Sequence, residues 1–119
     1  MELNLNNKTA LITGASKGIG KAIAESMANE GCNLVLTARS ADKLNELKNE
    51  LQKKYNISVE IIAIDLSKIQ AVEKVAKFSG DIDILINNAG AIPPGNLSDI
   101  NEDMWREAWN LKLFGYINL

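Results

Sequence analysis

The chain has 119 residues, 46% of them hydrophobic and 24% charged, with a net charge of −2 and no Lys/Arg run longer than two. That is the composition of one folded domain, and it argues against nucleic acid or an anionic membrane as partner. The lack of histidine excludes a Ser-His-Asp triad and the usual zinc sites, and the lone Cys32 excludes an intrachain disulfide and favours a reducing, cytoplasmic setting.

Residues 1–8 are polar and read as neither a signal peptide nor a membrane anchor. Residues 9–13 (TALIT) form a short apolar run before a glycine, which predicts a buried strand. Over residues 19–29 the apolar positions Ile19, Ala22, Ile23, Met27 and Ala28 recur at helical spacing, and Gly31 ends that helix. Residues 33–37 predict a second buried strand. Ser40 then caps a helix whose inner face is Leu44, Leu47 and Leu51. Residues 59–64 predict a third strand. Ser67 is placed to cap a third helix carrying Val72, Val75, Ala76 and Phe78. Residues 81–86 predict a fourth strand, followed by a loop with Pro93, Pro94 and Gly95. A last helix begins near residues 98–101 and carries Met104, Trp105, Ala108 and Trp109, the two tryptophans four apart and read as core packing.

Strand and helix alternate four times. The predicted fold is α/β, a Rossmann-type parallel sheet with right-handed crossovers and expected strand order 3-2-1-4. That is about half of a doubly wound sheet, which usually has about six strands. Residues 1–119 are therefore read as one partial dinucleotide-binding domain.

Function enters at the strand ends. Thr13-Gly14-Ala15-Ser16-Lys17-Gly18-Ile19-Gly20 joins the first strand to the first helix, at the carboxyl edge where such sheets bind ligands. Backbone N–H groups at a helix N-terminus attract phosphate, and glycines let it come close. The spacing is G-x-x-x-G-x-G, not the general G-x-G-x-x-G. Gly20 suits close packing of helix on sheet.

These residues resemble the cofactor turn of the short-chain dehydrogenase/reductase family. Asn87-Asn88-Ala89-Gly90 resembles that family's second signature, and Asp65-Leu66 a third. The resemblance implies a cofactor-binding set of Gly14, Ser16, Lys17, Gly18, Ile19, Gly20, Arg39, Asp65, Leu66, Asn88, Ala89 and Gly90. Asp65 would meet the adenine amino group, or cap the following helix, or do both. Asn87 would steady the sheet, while the Ala89-Gly90 backbone approaches the cofactor. Asn110 resembles the family's catalytic asparagine.

The dinucleotide is read from the end of the second strand. NAD-specific relatives place an acid where this chain has Ala38, and Arg39 follows. A surface charge pair at about 4 Å is worth about 4 kcal/mol before desolvation, and a third of that is roughly tenfold in affinity. Arg39, with Lys17, thus favours NADP over NAD. The implied activity is hydride transfer between nicotinamide and a small-molecule carbonyl or alcohol.

The family's chemistry also needs a serine and a tyrosine followed four residues later by lysine. Tyr55 has Val59 at that position, and Tyr116 is followed by Ile117, Asn118 and Leu119. The expectation is that these groups belong beyond the fourth strand and that the 119-residue chain alone is inactive. An exposed fourth strand (Ile84, Leu85, Ile86) or the last helix would then recruit another copy, giving a homo-oligomer. The alternatives are a non-catalytic nucleotide-binding module and a self-associating fragment. A nucleotide-dependent methyltransferase is the rival at fold level, and it gives no reason for Asn-Asn-Ala-Gly after the fourth strand.

Overall fold

The computed structural model describes residues 2–90 and 95–119. Pro93 and Pro94, read as loop residues, lie outside that set. Four parallel strands, β1 (Thr9–Thr13), β2 (Asn33–Ala38), β3 (Val59–Ala63) and β4 (Ile84–Ile86), lie in the order β3-β2-β1-β4. The predicted order 3-2-1-4 is the one observed.

Helices cover both faces. On one, Ala10, Ile12, Leu34, Leu36 and Val59 of the sheet pack with Ala24 and Ala28 of α1 (Gly18–Asn29) and Leu44, Leu47 and Leu51 of α2 (Ala41–Lys54). On the other, Leu11 and Val35 pack with Ala71, Val72 and Val75 of α3 (Ile69–Ser79). Alternate strand residues serve opposite faces, as a period of two requires. Among the described residues, no helix is long and apolar enough to cross a membrane.

Element existence follows the pattern in the sequence, but the phase of three helices does not. In α1 the buried positions are Gly20, Ala24 and Ala28, whereas Ile19 is 73% exposed and Ala22 is exposed. The smallest side chains, four apart, are what let a helix lie close on a sheet, and hydrophobicity alone does not report size. In α3 the buried face is Ala71, Val72 and Val75, while Ala76 and Phe78 face solvent.

Ser67 does not cap α3. The residue preceding the helix is Lys68, and Ser67 Oγ donates instead to Asp65 Oδ1 at 2.7 Å. Ser40 does cap α2, its Oγ accepting from Lys43 N at 3.4 Å. The fourth strand is shorter than residues 81–86, and Asp83 just before it meets Thr9 with both backbone and side chain, its N donating to Thr9 O at 2.9 Å. Its Oδ2 accepts from Thr9 N at 2.9 Å, and regular pairing starts only at Ile84.

Asn101 caps α4 (Glu102–Trp109), its Oδ1 accepting from Met104 N at 2.9 Å. The helix continues through a π-helical segment, Asn110–Phe114, into a last turn, α5 (Gly115–Asn118). Trp105 and Trp109 do not pack into the core; they are 43% and 52% exposed, while Met104 and Ala108 turn inward.

Candidate cofactor cleft

The carboxyl ends of all four strands open into one cleft of about 690 Å³. Its floor is the turn after β1. Gly14 and Gly18 both take left-handed backbone, with φ of +65° and +57°, a region that side chains with a Cβ enter at a cost of about 1–2 kcal/mol. Gly14 also lies under the loop after β4, where an added Cβ would come within 2.9 Å of Ala89 Cα. The turn is tied to β2 by Ala15 N donating to Thr37 O at 3.2 Å. α1 starts here without a side-chain cap and with no acid in its first turn. Its first N–H groups therefore point into the cleft as ready partners for an anion.

The loop after β4 is bound to the turn through Thr13 and Asn88. Thr13 Oγ1 accepts from Asn88 N and Ala89 N, each at 2.9 Å, and donates to Ile86 O at 3.4 Å. The Asn88 amide donates to Thr13 O and Gly14 O, both at 3.2 Å. Asn88 thus braces the loop after β4 against the glycine turn. The Asn87 Oδ1 is buried without a partner among the described residues.

Most of the sequence-predicted set meets at this cleft. Gly14, Ser16, Lys17, Gly18 and Ile19 line it from the turn, and Arg39 lines it from the end of β2. Asp65 and Leu66 line it from β3, and Asn88, Ala89 and Gly90 from β4. Gly20 is not in the lining. It is buried one turn up α1, packed against the Gly14 carbonyl and the Asn88 amide.

Asn110 is not brought to the cleft. It lines a separate groove of about 310 Å³ beside Ser67, Ile69 and Val72 at the start of α3. Its neighbour Leu111 faces the cleft instead. Sequence reasoning also missed Lys43, which joins Arg39 and Lys17 on the lining. Its signal was available, since Lys43 sits three residues after the cap Ser40 and so projects from the first turn of α2. Thr13 was missed as a brace; a polar residue ending an apolar strand was the only hint.

Charge in the cleft is one-sided. Lys17, Arg39 and Lys43 face a single carboxylate, Asp65, among the lining residues. Burial pushes the Asp65 carboxyl up, but hydrogen bonds from Ser67 Oγ (2.7 Å) and Ser67 N (3.0 Å), with nearby Lys68 and Arg39, outweigh it and hold the group below the ordinary aspartate value. Asp65 stays an anion, and one of its oxygens is already committed to the turn before α3. Both readings of Asp65 are compatible with that arrangement, because hydrogen bonding to Ser67 occupies Oδ1 and leaves Oδ2 for a donor in the cleft.

The glycine cradle, the uncapped N-terminus of α1 and the cationic rim fit an elongated phosphate-bearing ligand such as a dinucleotide. The comparisons agree with this geometry. The family described as short chain dehydrogenase matches residues 8–119. An uncharacterised oxidoreductase of Bacillus subtilis, YvaG, is 35% identical over 120 residues, covering 100% of this chain and 46% of that protein. L-sorbose reductase from Gluconobacter frateurii, solved with NADPH and L-sorbose, superposes with a TM-score of 0.93 at 35% identity, covering 100% of this chain and 47% of that one. A short-chain dehydrogenase/reductase from Burkholderia phymatum, solved with NAD, gives a TM-score of 0.88 at 28% identity over 99% of this chain and 42% of that one. The chain spans about half the length of the relatives it matches. With its sheet order, its glycine turn and a family match over nearly its whole length, this chain belongs to the short-chain dehydrogenase family.

Proposed function

We propose that this chain is the NADP(H)-binding part of an oxidoreductase acting on a small carbonyl or alcohol compound. The observation that carries the choice of cofactor is the end of β2, where Ala38 and Arg39 both line the cleft. An acid at Ala38 would grip an adenosine ribose 2′-hydroxyl and repel a 2′-phosphate. Alanine does neither, and the guanidinium of Arg39 matches a phosphate's geometry. Lys17 and Lys43 add charge of the same sign.

In this reading the N–H groups opening α1 hold the pyrophosphate, with Gly14, Ser16, Gly18 and Ile19 shaping the approach. Asp65 and Leu66 take the adenine, and the backbone of Ala89 and Gly90 lies along the far half of the cofactor. Gly20 supports the turn from beneath. When bound, the cofactor supplies or accepts the hydride; the chain's own residues bind it and fix its direction along the strand ends. The neighbour solved with NADPH supports this reading, and the neighbour solved with NAD makes the Ala38-Arg39 pair the point to test.

Calorimetric titration of the chain with NADPH and NADH tests it. NADPH should bind at least about tenfold tighter, equivalent to about 1.4 kcal/mol. Arg39→Ala should remove most of that difference while leaving NADH unchanged. Equal affinities in the starting protein would overturn the preference for NADP.

A second proposal concerns assembly. Trp105 and Trp109 are exposed along the last helix, and exposed tryptophans favour burial in a contact. Sedimentation at tens of micromolar should show a species larger than the 13.0 kDa chain. A single 13.0 kDa species would sink this proposal. A reducing, cytoplasmic setting is proposed for the chain, whose lone cysteine, Cys32, is buried.

A further inference from the structure

The last helix presents two polar side chains near the cleft, Asn110 and Lys112, and they cannot both face it. Successive helical residues turn by about 100°, so positions two apart point to roughly opposite sides. The structure resolves the competition. Asn110 lines the groove against α3, together with Phe114 and Gly115. Leu111 lines the cofactor cleft, and Lys112 lies over Gly90 at its rim. A Cβ built on Gly90 would come within 3.3 Å of Lys112 Cδ and 3.4 Å of Lys112 Nζ. The Lys112 side chain thus packs directly over Gly90, where an added Cβ would make it give way by a few tenths of an ångström.

Two further features hold it there. The segment Asn110–Phe114 is π-helical, and such one-turn insertions rotate the residues that follow and recur at functional sites. Lys112 Nζ also lies 5.3 Å from the centroid of the Tyr116 ring. A cation over an aromatic face gains about 0.5–1 kcal/mol where exposed, so the side chain is steadied from below while its tip stays solvated.

The position along the cleft decides what Lys112 can meet. Arg39, Lys43 and Asp65 mark the β2–β3 end, and the glycine turn marks the middle. A dinucleotide anchored by its adenosine at the first and by its phosphates at the second must run on toward β4 and Gly90. We propose that Lys112, and not Asn110, is the polar group this helix delivers to the cofactor. Its three N–H donors take the oxygens of the nicotinamide-side half, namely the second ribose and the phosphate next to it. This rests on the NADP(H) reading above and adds a contact to it.

The test compares two ligands on the full chain. NADPH carries both halves of the cofactor; adenosine 2′,5′-bisphosphate carries only the half that meets Arg39. Lys112→Met should weaken NADPH binding about tenfold, as loss of a charge-assisted contact does, and leave the bisphosphate unchanged. Lys112→Arg should keep most of the NADPH affinity, and Asn110→Ala should leave both ligands unaffected. Unchanged bisphosphate binding shows that the Lys112→Met protein is folded. Normal NADPH binding by Lys112→Met, or an equal loss for both ligands, would overturn the assignment while the NADP(H) reading stands. Binding of neither ligand to the unaltered chain would overturn both.

Discussion

Replacing Gly20 with alanine should lower the stability of the chain by about 3 kcal/mol and abolish measurable dinucleotide binding, although alanine is the better helix former by about 1 kcal/mol. The reason is space and not backbone conformation, since Gly20 has ordinary helical geometry. A Cβ there would land on the Gly14 carbonyl oxygen and within 2.6 Å of the Asn88 amide nitrogen. The carbonyl belongs to the backbone of the turn and cannot swing aside as a side chain could. Either α1 backs away from the sheet, uncovering Ala24 and Ala28, or the turn gives up the Asn88 bonds that shape the cleft. Gly18→Ala makes the comparison. An added Cβ at Gly18 meets nothing within 4 Å, so the cost reduces to its left-handed φ of +57°, about 1–2 kcal/mol. Urea unfolding of the two variants gives both numbers. An unchanged midpoint for Gly20→Ala would mean that the start of α1 retreats without cost and that the close approach is not structural.

The second large effect comes from one substitution made at two positions that sit side by side. Thr13 and Thr37 pair in register on β1 and β2, and both are fully buried. Thr13→Val should destabilise the chain by about 3 kcal/mol, because Asn88 N and Ala89 N both lose their acceptor and a buried unpaired N–H costs about 1–3 kcal/mol. Thr13→Ser keeps the oxygen and should recover most of that loss. Thr37→Val should do the opposite. Its hydroxyl is buried without a partner among the described residues, so exchanging it for a methyl removes a desolvated polar group and should stabilise by about 1 kcal/mol. The difference between the two sites is one strand. β1 lies beside β4 and its threonine reaches the Asn88-Ala89 loop; β2 lies one strand further off. Thermal or denaturant unfolding of the two valine variants checks the opposed signs, and a destabilised Thr37→Val would show that the hydroxyl has a partner in solution.

Much of the site was readable because its signals are local. The turn Gly14–Gly20 lies within eight consecutive residues, and its place between an apolar strand and a helix put it at the carboxyl edge of the sheet. Ala38 and Arg39 are adjacent, and their position follows from counting along β2. Reading failed where a role depends on residues far apart in the chain. Thr13 and Ala89 are 76 residues apart when they bond, and nothing near either one announces the other. Asn87 and Asn88 are chemically identical and adjacent, so only the path of the loop decides which one braces the turn.

By itself, the sequence determined the α/β class, the alternation of strand and helix, the order 3-2-1-4 and the location of the cofactor turn. The class, the alternation and the turn follow from periods of 2 and 3.6 and from glycine placement, which act over short stretches of chain, and the order from the doubly wound pattern to which that alternation belongs. The tertiary structure decided which side of each element is inside. It buried Gly20, Ala24 and Ala28 in place of Ile19, turned Trp105 and Trp109 outward, sent Ser67 to Asp65, and placed Asn110 in the groove against α3 with Leu111 on the cleft. A period specifies how often a helix presents a face, but the phase is set by the shape of what it packs against, and a single π-helical turn resets it.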